Sequence, residues 1–127
     1  MPMMQFSIAP WRVLNEEEVA ICRDAAELHV AFAPYIISLA QHSAKTGEPI
    51  VRLMEYEFPH QGLEMCRDQF MLGSEWLVAP VIREDDSRTV RLPKGEWKDD
   101  LGETHVGPKT LELLNVPLAR LPRFKKL

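Results

Sequence analysis

Two cysteines in 127 residues, Cys22 and Cys66, are too few for a disulfide framework and lack any metal-ligand spacing. They read as reduced, buried thiols, which fits a cytoplasmic protein. Long apolar runs are also missing. No stretch approaches the roughly 20 residues that a bilayer core requires, and Met1 to Pro10 has no basic start before its short apolar stretch, so neither a membrane span nor a secretory leader is expected. Positive charge is scarce: the net charge is −4, and the basic residues are scattered except in Arg123-Phe124-Lys125-Lys126. With no stripe to track phosphates, nucleic acid is not an expected partner.

What is present is ordinary for a soluble globular chain, with 46% hydrophobic and 27% charged residues, which favours neither disorder nor a fibrous architecture. A chain of this length makes one modest domain that buries roughly two-thirds of its unfolded surface.

The apolar segment over residues 3–9, closed by Pro10, suits a short buried strand. Asn15 followed by Glu16-Glu17-Glu18 is a helix start: Asn15 can accept a free backbone N–H, Glu18 can reach back three residues, and three carboxylates suit the positive helix end. The helix core face is written at Ile21, Ala25, Leu28, Phe32, Ile36 and Leu39, spaced by four and three. Pro34 falls inside this pattern, where it removes a hydrogen bond and predicts a bend. Lys45, Gly47 and Pro49 supply a last-turn cation, a left-handed cap and a stop, so the bent helix spans 16–46. Residues 50–56 follow as a second strand, rich in β-formers. Strand, helix and strand with tight links predict a right-handed parallel crossover.

Residues 57–75 read as irregular. Trp76 to Val81 is a buried strand. Short strands then follow at Thr89–Leu92, Glu96–Lys98, Thr104–Val106, Thr110–Leu114 and Leu118–Leu121, with breaks at Pro93, Gly95, Gly102, Gly107, Pro108 and Pro117. The fold class expected is thus α/β followed by all-β: an α/β portion over 1–75 and an antiparallel, sandwich-like β module over 76–127.

Candidate chemistry is sparse. Glu55 and Glu57, two apart on the second strand, would face one side of it. Carboxylates that act as a catalytic pair face each other across a substrate from different elements, whereas strand neighbours point in parallel, so hydrogen bonding to loops or solvent is the expected role. His29, His42, His60 and His105 show no ligand spacing, and no metal or cofactor is expected. Ser7, Ser74 and Gly73 belong to no nucleophile-elbow or phosphate-loop pattern. Trp11-Arg12, just after the first strand, offers an aromatic face and a forked donor. Two readings stay open there: a sugar-binding pair, or a Trp packed at a rim with Arg12 in a structural ion pair.

A series of segments carries more information than any single site. Pro34-Tyr35-Ile36-Ile37-Ser38-Leu39, Thr46-Gly47-Glu48-Pro49-Ile50-Val51-Arg52, Glu57-Phe58-Pro59, Asp68-Gln69-Phe70-Met71-Leu72-Gly73 and Leu77-Val78-Ala79-Pro80-Val81 resemble glycoside hydrolase family 31 enzymes in order and spacing. Leu92-Pro93-Lys94-Gly95-Glu96-Trp97 resembles their turn before the next strands. The resemblance implies that residues 3–9 are similar to the seventh strand of a (β/α)8 barrel, the long helix to the one that follows it, and 50–56 to the eighth strand. The remainder resembles the proximal C-terminal β domain.

It also implies a retaining α-glycosidase whose nucleophile and acid/base aspartates lie on earlier barrel strands, with no counterpart in this chain. Many members present an Arg-x-His arrangement beyond the seventh strand. Here Arg12 matches the arginine, but Leu14 stands where the histidine would be, which puts the usual sugar contact in doubt. A complete barrel needs about 250 residues, so this piece cannot close one. The expectation is a fragment that is inactive alone, whose parent meets an α-glycoside, and which self-associates through uncovered barrel edges. The alternative is a non-catalytic module that binds carbohydrate or supports a partner chain.

Overall fold

A computed structural model describes residues 7–127. The chain divides into two compact units, residues 1–50 and 51–127. The strand expected over 3–9 lies largely outside the described residues, and Ser7 and Ile8 form a bend.

In the first unit a single 3-10 turn, Pro10–Arg12, leads into helix α1, Glu16–Thr46. Both ends of α1 fall where the sequence places them. Asn15 Oδ1 accepts from the Glu18 N–H at 2.9 Å, and Glu18 Oε2 accepts from the Asn15 N–H at 3.0 Å, closing a reciprocal capping box. At the other end Gly47 takes φ 78°, the left-handed geometry that glycine tolerates without steric cost, and its N–H reaches the Ser43 carbonyl at 2.8 Å. The helix runs through Pro34 without interruption. Of its predicted apolar stripe only Ile36 is buried.

The second unit is a six-stranded antiparallel sheet in the order β1-β2-β3-β6-β4-β5. The strands are β1 Val51–Arg52, β2 Phe70–Leu72, β3 Trp76–Val78, β4 Arg88–Asp99, β5 Thr104–Leu113 and β6 Arg123–Lys126. A short helix, α2 Met54–Glu57, follows β1. Several expectations are corrected here. The strand expected over 50–56 is two residues long, and its described partner is β2, in antiparallel register. Residues 57–75, expected to be irregular, contain β2, which turns through Gly73 at φ 58° to pair Leu72 with Trp76. Phe70-Met71-Leu72 is too short and too uniformly apolar to show an alternating pattern.

The pieces expected at Thr89–Leu92 and Glu96–Lys98 are one strand, as are those at Thr104–Val106 and Thr110–Leu114. Pro93 and Gly95 read as a break, but the sheet absorbs them: Leu92 pairs with Lys109 and Gly95 with Gly107, so β4 carries one extra residue as a bulge. Leu118–Leu121 is not a strand. Prolines flank it, and the Arg120 N–H turns back to the Pro117 carbonyl at 2.8 Å. The last strand is instead the basic segment Arg123–Lys126, whose fully buried Phe124 sits where β6 bridges β3 and β4.

The described strands form one sheet, not the two facing sheets of a sandwich. Its buried face is closed by α2 and the segment after it: Met54, Phe58, Leu63 and Cys66 pack with Met71, Leu77, Ala79, Val90, Leu92, Trp97 and Phe124. The Phe58 and Trp97 rings meet edge to face at 5.8 Å.

Candidate functional site

Trp11 and Arg12 lie in the 3-10 turn, which is held by N–H bonds from Arg12 to Ala9 and from Val13 and Leu14 to Pro10. A hydrogen-bonded turn thus presents an indole that is 74% exposed. Trp11 and Leu14 line one surface hollow with Glu16, Val19 and Arg23. Arg12 is exposed and is not part of that lining. Leu14, at the position where the family resemblance implies a histidine, adds an apolar wall beside the indole instead of a proton-bearing ring.

Glu55 and Glu57 stand on α2, not on a strand, and each is engaged locally. Glu57 Oε2 accepts from Arg52 Nη1 at 2.7 Å, with both side chains largely buried. Glu55 Oε1 accepts from the N–H of His60, a residue in left-handed backbone geometry, at 2.9 Å. These carboxylates fasten the α2 segment and its loop, which agrees with the role expected from their spacing.

Several further interactions were not foreseen from the sequence. Arg88, buried on β4, binds both the carboxylate and the backbone carbonyl of Asp68. The Arg88 hydrogen bond lowers the Asp68 pKa against the opposing effect of burial. Burial raises the Cys66 pKa, and the neighbouring negative Asp68 raises it further, so both effects favour the protonated thiol.

At the β4–β5 turn Asp99 Oδ2 meets His105 Nε2 at 2.9 Å, while Asp99 Oδ1 accepts from the N–H groups of Leu101 and Glu103. Burial pushes the Asp99 carboxyl upward, but these hydrogen bonds outweigh it and the net shift is down. Asp99, Glu103 and His105 bring one ligand atom each within 4.8 Å of one another. Asp99 already directs both oxygens into the hairpin, so the group is built first as a turn. Beside it Arg120 grips Asp100 with two parallel hydrogen bonds, at 2.9 and 3.0 Å, and this contact raises the guanidinium pKa despite burial.

The class these features define is an antiparallel β domain that follows a long capped helix in sequence. The profile described as the glycosyl hydrolase family 31 C-terminal domain matches residues 47–126. The chain therefore belongs to glycosyl hydrolase family 31.

Over 106 residues it is 40% identical to the myogenesis-regulating glycosidase of Mus musculus, covering 81% of this chain and 15% of that protein. It is 37% identical over 76 residues to an α-glucosidase of Saccharolobus solfataricus, covering 59% of this chain and 11% of that one. Among solved structures, a soil-metagenome α-xylosidase complexed with xylose superposes with TM-score 0.86 at 30% identity, over 98% of this chain and 19% of its own. A Flavobacterium johnsoniae dextranase complexed with isomaltotriose superposes with TM-score 0.85 at 32% identity, over 94% and 15%. The chain thus spans well under a quarter of the length of these relatives.

Proposed function

We propose that this chain is the C-terminal part of a retaining α-glycosidase: the end of a (β/α)8 barrel followed by its proximal β domain, acting in the hydrolysis of O-glycosyl bonds. The observation that carries this reading is the joint match of sequence and fold to family 31 enzymes over almost all of this chain and less than a fifth of theirs. In such an assembly the nucleophile and the acid/base belong to the larger part of the barrel. This chain then supplies the long helix at the end of the barrel and the β domain that follows it in sequence.

On the same reading the carbohydrate meets this chain at Trp11 and Arg12. An exposed indole on a hydrogen-bonded turn gives a sugar ring a flat apolar face, and a guanidinium gives its hydroxyls a fork of donors. Leu14 beside the indole makes this contact more apolar than an Arg-x-His arrangement.

The test has two arms. The purified 127-residue chain is expected to show no turnover of aryl α-glucosides or aryl α-xylosides; turnover that an active-site inhibitor abolishes would overturn the proposal. In the enzyme carrying the complete barrel, Trp11→Ala is expected to raise KM roughly tenfold, the cost of about 1.4 kcal/mol of ring contact. An unchanged KM would remove Trp11 from the sugar site.

A further inference from the structure

We draw no further inference here: the strongest candidate, the Asp99, Glu103 and His105 cluster at the β4–β5 turn, has both Asp99 oxygens taken up by hydrogen bonds within its own hairpin, and none of its three side chains carries a buried polar atom without a partner that would point to a ligand.

Discussion

Gly107 needs its missing side chain because of where β4 bulges. A Cβ there would lie 1.9 Å from the Pro93 carbonyl oxygen and 2.8 Å from the carbonyl carbon, both backbone atoms that cannot swing aside. The same Pro93 oxygen accepts the buried Trp97 indole N–H at 3.0 Å. Gly107→Ala would push the carbonyl away and leave that N–H without its partner, so two costs fall on one substitution. Overpacking and an orphaned buried donor together are expected to destabilise the chain by about 2 kcal/mol or more, read as a lowered urea midpoint with an unchanged slope. Asp68 makes a second prediction at this scale. Its pKa is lowered in the folded state by Arg88. Its stabilisation is therefore complete above the unfolded value of about 3.9 and is lost as pH falls through the lowered folded value. Asp68→Asn is expected to flatten this acid-side slope in pH-dependent unfolding, and to lower stability at neutral pH because buried Arg88 loses its anionic partner. An acid slope identical to that of the parent would show that Asp68 does not carry it.

Elements differ in how much of their own ending they encode. The limits of α1 could be read directly because each is fixed within a few residues: Asn15 with Glu18 at one end, Gly47 with Ser43 at the other. Asn15→Ala removes the acceptor for the Glu18 N–H and is expected to cost about 1 kcal/mol of helix stability, seen as faster amide exchange across the first turns of α1. Strands carry no such local end marks. Pro93 and Gly95 look like a stop in sequence, and only the pairing of Leu92 with Lys109 and Gly95 with Gly107 shows that one strand continues through them. The tail Arg123-Phe124-Lys125-Lys126 gives no strand signal beyond one phenylalanine. It becomes β6 because β3 and β4 present backbone partners on its two sides and Phe124 fills the core between them.

On the scale of the whole molecule, burial is unevenly shared. The second unit has a continuous core that includes fully buried Trp97, Phe124, Met54, Met71 and Leu77. Within α1 only Ile36 is buried, while Val30 and Ile37 are exposed at 69% and 56%. Apolar surface of that kind favours association when the chain is alone. The isolated chain is expected to bind a hydrophobic dye and to sediment as more than a monomer at micromolar concentration. A single monomeric boundary with no dye binding would contradict this. No described helix is long and apolar enough to cross a membrane.

The sequence by itself determined what short-range chemistry determines: the capped helix over 16–46, the placement of Trp11 and Arg12 just ahead of it, the antiparallel character of the later strands, and the family. Tertiary structure decided what depends on residues distant along the chain. It joined four expected strand pieces into β4 and β5, made a strand of the basic tail, closed the sheet with α2 in place of a second sheet, and brought Asp68 to Arg88 and Pro93 to Gly107. Caps and turns are satisfied by neighbours a few residues away and leave a signature in composition. A ladder, a bulge or an ion pair to a buried arginine is satisfied across tens of residues, and its partners are known only when the backbone has brought them together.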